Sequence, residues 1–204
     1  MTLKLYYTPG ACSLSPHIAL REAGLSFSLI KVDLQNKKVE DGSDYFAINP
    51  KGYVPALRLE DGQLLTEGAV IVQYIADQKP EAGLAPRAGT LARVRLQEWL
   101  HFIATELHKG FGPINHPKSN PELKQALRQR LDSRFQILAS ALQEQEYLLS
   151  EGFSVADIYA FYTLRNLRRL DSAALDQSEV LKPYYERIAA RPAVRAAFEA
   201  EGVS

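Results

Sequence analysis

The chain contains one cysteine, Cys12, within the stretch YYTPGACSLSPHIAL at residues 6 to 20. It follows a short apolar run stopped by Pro9 and Gly10 and precedes a predicted helix. The start of a helix presents unpaired backbone N–H groups and the positive end of the helix dipole, which both favour an anion. The position therefore favours the reactive thiolate form of Cys12. A lone cysteine can also be a small buried hydrophobe, so both interpretations stay open.

A carboxylate that could bind a ligand is Glu67, in the sequence TEG at residues 66 to 68. An acidic side chain in a first helical turn usually complements the helix dipole, and this interpretation is favoured here. Alternatively, Glu67 and the N–H of Gly68 hold the ammonium and carboxylate groups of a ligand. Nearby, Val54-Pro55 precedes a predicted strand, where the proline either begins the strand or forms a cis bond that turns the Val54 backbone toward a ligand.

Two histidines and a hydroxyl form a third candidate, in HFIATELHKG. At about 100° per residue, His101, Thr105 and His108 share one narrow stripe of a helix, roughly opposite its apolar stripe. This pattern predicts side chains that face solvent or a polar interface. If the stripe faces the first domain, one histidine approaches Cys12 as a hydrogen-bond donor or proton shuttle. We predict no metal site, because Glu106 falls off the stripe and no cysteine partner exists.

The elements that position Cys12 and Glu67 are predicted to be alternating strands and helices. LKLYY (3 to 7) and SFSLIKVDL (26 to 34) are typical of strands, and the helix between them implies a parallel pair. Further along, Asp61-Gly62 joins two short apolar runs as in a β-hairpin. A helix follows from about Glu67 until Pro80. With a short helix near SDYFAI, the order is β-α-β-α-β-β-α, a small mixed sheet with packed helices.

Beyond the Pro-, Ala- and Gly-rich stretch at 80–89, every predicted element is helical. Helices are predicted at about 90–113, at 121–146, from FSVADIYAF onward, at 177–190 and at 192–200. Ser154 and Asp157 resemble a capping box, with Phe153 packing on Ile158 as a hydrophobic staple. Such a structural cap stabilises a helix by on the order of 1 kcal/mol and serves folding rather than chemistry.

Composition limits the classes of function. The 204 residues include 24 Lys plus Arg and 24 Asp plus Glu, so the formal net charge of zero does not favour nucleic acid or an anionic membrane. No window approaches the roughly 20 apolar residues of a membrane span, and the first residues lack the pattern of a signal peptide. A single cysteine excludes an internal disulfide and a dithiol. We therefore expect a soluble, cytoplasmic protein.

Four stretches together resemble the bacterial beta-class glutathione S-transferases: PGACSLSPHIALRE, NPKGYVPALRLEDGQLLTEG, EWLHFIATELHKGF and FSVADIYAF. They follow one another in the right order over nearly the whole chain. The resemblance implies an α/β thioredoxin-like domain at 1–80 that binds glutathione, a linker at 81–88 and an all-α helical domain at 89–204. The helical domain would form the electrophile site and part of a homodimer interface.

In that family glutathione is the co-substrate, and the second substrate is a small hydrophobic electrophile. The resemblance places Cys12 beside the glutathione sulfur, where it can form a mixed disulfide, and assigns the family histidine to His108. Glutathione contacts fall on Lys37, Val54 beside an expected cis-Pro55, Glu67, Gly68, His101, Thr105, Glu106, Leu107 and His108. Two positions depart from the family pattern, because His101 stands where relatives often have Asn and Gly68 where many have Ser.

The function that this implies is conjugation of glutathione to an electrophile, with Cys12 and His108 as catalytic residues that supply hydrogen bonds to the sulfur. Glutathione-dependent thiol–disulfide exchange through Cys12 is a second possible chemistry, and a single cysteine allows only its monothiol route. A non-catalytic ligand-binding protein on the same fold is the alternative from another class.

Overall fold

A computed structural model describes residues 2–203 of the chain. The chain forms two compact units: one runs to Ala85 and takes up the chain again from Ala190, and the other spans Pro86–Ala189. The sequence predicted a helical domain that continues to residue 204. The last helix instead belongs to the first unit, because it packs on the first helix of that unit.

The first unit is a mixed sheet with helices packed on it. Its elements in chain order are β1 (Leu3–Tyr7), α1 (Leu14–Glu22), β2 (Phe27–Asp33), β3 (Lys38–Val39), β4 (Ala56–Arg58), β5 (Leu64–Thr66) and α2 (Gly68–Gln78). The strands lie in the order β3-β2-β1-β4-β5. The predicted parallel pairing of β1 with β2 is confirmed, and β4 and β5 form the predicted antiparallel hairpin. The predicted short helix near SDYFAI is a single turn of 3-10 helix, Tyr45–Ala47.

The apolar residues of α1, α2 and the central strands are buried, as their spacing predicted. Leu5 of β1 and Leu57 of β4 are fully buried, as are Ile18 of α1 and Ile71 and Ile75 of α2. Because α1 and α2 contact each other as well as strands of the sheet, the turns that precede both helices are held by a common core. Those two turns carry Cys12 and Glu67.

The second unit consists of helices. They are α3 (Leu91–Phe102), α4 (Phe111–Asn115), α5 (Pro121–Ala141), α6 (Val155–Leu170), α7 (Ser172–Asp176) and α8 (Leu181–Ala189), and the final helix of the chain, α9 (Pro192–Glu201), lies in the first unit. The predicted continuous helix at 90–113 is interrupted. A π-helical segment at Ile103–His108, called here the π segment, separates α3 from α4.

Helix α6 begins with the capping box that Ser154 and Asp157 predicted. The Asp157 carboxylate is buried and accepts hydrogen bonds from the backbone N–H groups of Ser154 and Leu148 and from the Tyr184 hydroxyl. It therefore joins α6, α8 and the segment before α6. Among the helices of residues 2–203, none is both long and apolar enough to cross a membrane.

Candidate active site

Cys12 lies in the turn between β1 and α1, two positions before the first residue of the helix, and is partly buried. Its Sγ donates a hydrogen bond to the backbone carbonyl of Val54 at 3.2 Å. The Val54–Pro55 peptide bond is cis. From the residues alone the proline could begin a strand or be cis, and a cis bond would present the backbone N–H and C=O of Val54 to a ligand. In this structure the carbonyl accepts a hydrogen bond from the Cys12 thiol.

Two hydrogen bonds, one at Gly10 and one at Ser13, fix the turn that carries Cys12. Gly10 has a positive φ of 68°, which glycine adopts without steric cost, and its N–H donates to Oε2 of Glu201 at 2.8 Å. On the other side, the Ser13 hydroxyl accepts from the Thr8 N–H at 3.2 Å. Neither Ser13 nor Glu201 was predicted, and Glu201 could not have been, because it is 191 residues from Gly10 in sequence.

Glu67 is the N-cap residue of α2, and its backbone carbonyl accepts from the N–H groups of Val70 and Ile71. Its side chain makes no capping hydrogen bond; its carboxylate instead accepts from Lys51 Nζ at 2.7 Å and from the Tyr53 hydroxyl at 3.1 Å. The favoured interpretation of Glu67 as a capping charge is therefore not supported by a capping hydrogen bond. The same hydrogen bond raises the pKa of Lys51.

The backbone of Glu67 is strained. Its φ of 68° with ψ of 112° is a conformation that a non-glycine residue adopts at a cost of roughly 1–3 kcal/mol. Such conformations persist where the surrounding structure imposes them, and they concentrate at ligand sites. The Glu67 side chain contacts Lys51 and Tyr53, and about half of it is exposed to solvent. It is accessible to a ligand with a positive charge.

Lys37 also has a left-handed backbone, with a φ of 55°. Its Nζ donates to the carbonyl oxygen of Gly52 at 2.7 Å and lies 5.9 Å from the centre of the Phe46 ring. An ammonium group has three N–H donors, so one bond to a carbonyl leaves it able to bind an anion. These two contacts hold the Lys37 ammonium in place.

Four consecutive residues, Lys51–Val54, contact all three of these predicted groups. Lys51 and Tyr53 bind the Glu67 carboxylate, Gly52 accepts from Lys37, and Val54 accepts from Cys12. The short segment thus brings a thiol, an ammonium and a carboxylate to one loop of the first unit. The sequence predicted the three groups and Val54 separately, but it missed Lys51 and Tyr53, whose partner lies 16 and 14 residues away.

In the second unit, the predicted polar stripe of three residues is only partly present. His101 and Thr105 are exposed, and the Thr105 hydroxyl donates back to the His101 carbonyl at 3.0 Å. His108 is partly buried instead, with Nδ1 at 2.8 Å from the hydroxyl of Tyr159 on α6. The expectation that His108 faces away from the core is therefore wrong. The π segment explains this, because its wider turn changes the register of the residues that follow.

Burial lowers the pKa of His108 to about 4, and the positive charge of Lys109 contributes to the same shift. A buried imidazole without a carboxylate partner is easier to keep neutral than charged. His108 is therefore neutral at pH 7. It has one N–H donor and one acceptor nitrogen, and it cannot supply a positive charge to an anion.

Glu106 and Leu107, which were also predicted to contact glutathione, make contacts within the second unit. The Glu106 carboxylate accepts from Arg134 Nε at 2.9 Å and from Arg130 at 3.1 Å, and these bonds lower its pKa. The Leu107 side chain is fully buried. Within the residues described, no three His, Cys, Asp or Glu side chains cluster in a way that could hold a metal ion.

Both units of the chain are similar to known protein families. Residues 10–78 match the family model "Glutathione S-transferase, N-terminal domain", and residues 102–192 match "Glutathione S-transferase, C-terminal domain". The chain is 45% identical to glutathione S-transferase GstA of Escherichia coli O157:H7 over 98% of this chain and 100% of that protein.

Two solved structures have the same fold. A bacterial beta-class glutathione S-transferase from Sphingomonas chungbukensis is 47% identical, with a TM-score of 0.91. A sphingomonad glutathione S-transferase complexed with glutathione is 44% identical, with a TM-score of 0.92. Each comparison covers 98% of this chain and 100% of the other chain.

Proposed function

Because the chain belongs to the glutathione S-transferase family, we propose that it conjugates glutathione to small hydrophobic electrophiles. The observation that carries this proposal is the segment Lys51–Val54, which contacts Cys12, Lys37 and Glu67 at once. Glutathione is a small peptide with one ammonium group, two carboxylates and a thiol. The Glu67 carboxylate complements the ammonium group, the Lys37 ammonium complements one of the carboxylates, and Cys12 lies where the thiol would bind.

The ends of glutathione are bound by complementary charges. The exposed Glu67 carboxylate takes the ammonium group, and the N–H of Gly68, the first residue of α2, takes the adjacent carboxylate. The Lys37 ammonium takes the carboxylate at the other end of the peptide. Both the strained Glu67 backbone and the positive φ of Lys37 support this assignment, because strained residues are retained where they serve a ligand.

The reaction requires glutathione as its thiolate. We assign Cys12 to a hydrogen bond with the glutathione sulfur and His108 to a second one, and the neutral imidazole acts as donor rather than as a cation. The thiol proton leaves to solvent. The sulfur then forms a bond to the electrophilic carbon, and a leaving group such as chloride departs with the electron pair of the broken bond.

Kinetics with glutathione and an activated aryl chloride test this function. We expect Glu67→Gln to raise the KM for glutathione about tenfold, because one charge-assisted contact is lost. Glu60→Gln is the matched control, since Glu60 is an exposed glutamate on the nearby hairpin. His108→Gln and Cys12→Ser should lower kcat. Wild-type rates in both of these variants would refute the roles assigned to them.

The alternative from another class is a non-catalytic protein that carries a ligand on the same fold. Titration calorimetry separates the two, because conjugation requires glutathione to bind. Failure to bind glutathione at millimolar concentration would favour the carrier and overturn the proposal.

Thiol–disulfide exchange is a second candidate activity, supported by the partial exposure of Cys12 at the start of α1. The Cys12 thiolate would attack the glutathione sulfur of a mixed disulfide, forming a Cys12–glutathione disulfide and releasing the other thiol. A second glutathione would then release oxidised glutathione and restore the Cys12 thiol. Loss of this reduction in Cys12→Ser, with conjugation retained, would assign Cys12 to exchange.

Assembly and location stay predictions. We propose a homodimer, on the ground of family membership, and a cytoplasmic location, on the ground of the sequence. Sedimentation analysis tests the first: a species of twice the chain mass of 22.8 kDa is expected, and a monomer at micromolar concentration would contradict it.

A further inference from the structure

The imidazole of His108 is enclosed by two tyrosine rings of α6. Its centre lies 5.7 Å from the Tyr159 ring and 5.2 Å from the Tyr162 ring, and both contacts are edge-to-face. Nδ1 of His108 lies 2.8 Å from the Tyr159 hydroxyl oxygen. A hydrogen bond of this length needs one hydrogen between the two atoms, and either partner could carry it.

Both partners are held by well-packed elements. Tyr159 is only 4% exposed and lies in the second turn of α6, just after the capping box. His108 ends the π segment, where the Lys109 N–H donates to the Ala104 carbonyl five residues earlier. Because neither residue is on a free loop, the hydrogen bond is a fixed feature of the second unit.

The acidities of the two groups decide which atom donates. His108 is a neutral imidazole at pH 7, with one N–H and one unprotonated nitrogen. A phenol, with a pKa of about 10, is a far stronger acid than the N–H of a neutral imidazole. The unprotonated ring nitrogen is in turn a far stronger base than a phenol oxygen. The favoured hydrogen bond runs from the stronger acid to the stronger base. The Tyr159 hydroxyl is therefore the donor and the ring nitrogen of His108 is the acceptor.

We propose that the Tyr159 hydroxyl donates its hydrogen to Nδ1 of His108 and so holds the imidazole in the tautomer protonated at Nε2. Tyr159 is then a positioning residue, acting through His108. The inference deepens the proposed function and rests on it in one respect: Nε2–H can donate a hydrogen bond to the glutathione sulfur but cannot remove the thiol proton. His108 therefore stabilises the thiolate and is not the base that forms it.

The tautomer can be read directly by NMR of protein labelled with ¹⁵N-histidine. Long-range proton–nitrogen correlations at pH 7 distinguish protonated from unprotonated ring nitrogens. The chain has four histidines, so the His108 signals are assigned as those missing from His108→Gln. We expect an unprotonated Nδ1 and a protonated Nε2. A proton on Nδ1 would overturn the proposal.

Two tyrosine variants show whether Tyr159 sets the tautomer. Tyr159→Phe keeps the ring and removes the hydroxyl, so we expect the single tautomer to give way to a mixture. Tyr162→Phe is the matched control, because Tyr162 packs on the same imidazole and its loss of a hydroxyl leaves the Tyr159–Nδ1 bond in place. An unchanged His108 spectrum in Tyr159→Phe would refute the role of Tyr159.

The kinetic consequence is a kcat that falls about threefold to tenfold in Tyr159→Phe, with the KM for glutathione changed less than twofold, because the tautomer affects the sulfur and not the ends of the peptide. An unchanged kcat with a mixed tautomer would refute the link to the reaction. The NMR result needs neither glutathione nor turnover. Absence of conjugating activity in the wild-type protein would therefore refute the proposed function. The NMR spectra would still show whether Tyr159 donates to Nδ1 of His108.

Discussion

Replacing Glu201 should destabilise the first unit although the residue lies at the end of the last helix. The Glu201 side chain is fully buried, and its two carboxylate oxygens accept from the Gly10 N–H and from His17 Nδ1, each at 2.8 Å. His17 is buried too, and its other nitrogen accepts from Arg21 Nε at 2.9 Å. Since the arginine can only donate, Nε2 of His17 accepts from it, and Nδ1 carries the hydrogen that is donated to Glu201.

The size of the effect follows from these bonds. Glu201→Ala removes the acceptor of two buried donors, on Gly10 and His17, and each buried donor left unsatisfied costs about 1–3 kcal/mol. We therefore expect a loss of about 2–6 kcal/mol for the two donors together. Glu201→Gln keeps one acceptor oxygen and should lose about half as much.

Urea unfolding followed by far-UV circular dichroism measures this loss. Glu199→Ala is the matched control, because Glu199 is an exposed glutamate on the same helix and its replacement should change stability by less than about 0.5 kcal/mol. If Glu201→Ala and Glu199→Ala had the same unfolding free energy, the buried network would contribute nothing and the reasoning would be refuted.

Three further predictions concern stability. Asp157→Ala should cost about 3 kcal/mol or more in urea unfolding, since the buried carboxylate serves several donors; a cost below 1 kcal/mol would contradict its role in joining helices. Glu22→Gln should cost about 1–2 kcal/mol, because the amide has only one of the two oxygens that accept from Arg191 at 2.6 and 2.8 Å and carries no charge, and a variant as stable as wild type would exclude that contribution. The pKa of His108 falls from 6.5 to about 4 on folding, so the unfolded chain binds the proton first. Stability contributed by neutral His108 is complete above pH 6.5 and is lost as the pH falls to about 4, by roughly 3 kcal/mol. His108→Gln should flatten the stability profile over that pH range, and an equally steep profile in the variant would show that other groups cause it.

Features set by neighbouring residues were predictable from the sequence. The β1-α1-β2 unit follows from the two strand-like runs and the helix between them, and the β4–β5 hairpin follows from Asp61-Gly62. The capping box at Ser154 and Asp157 is likewise a local pattern. In each case the physical cause lies within a few residues of the feature, so a short stretch of sequence contains the information.

Features set by tertiary contacts were not predictable. The Glu67 carboxylate was interpreted as a capping charge from its neighbours in sequence. Its hydrogen-bond partners, Lys51 and Tyr53, come from another loop, so the local sequence does not contain them. The acceptor of the Gly10 N–H is at the far end of the chain. The same holds for the placement of α9 on α1, since the apolar stripe of a helix does not state which unit it packs on.

The prediction of a polar stripe along one continuous helix was wrong for a different reason. His101, Thr105 and His108 share one face only if the helix keeps 3.6 residues per turn, and the π segment breaks that period. The pairing of His108 with Tyr159 on α6 became visible only with the tertiary structure.

A crystal structure of the protein with bound glutathione tests the central claim most directly. The account predicts the ammonium group of glutathione within about 3 Å of the Glu67 carboxylate, one carboxylate at a similar distance from Lys37 Nζ, and the sulfur beside Cys12 Sγ. Glutathione bound elsewhere, or with its ammonium group away from Glu67, would contradict it.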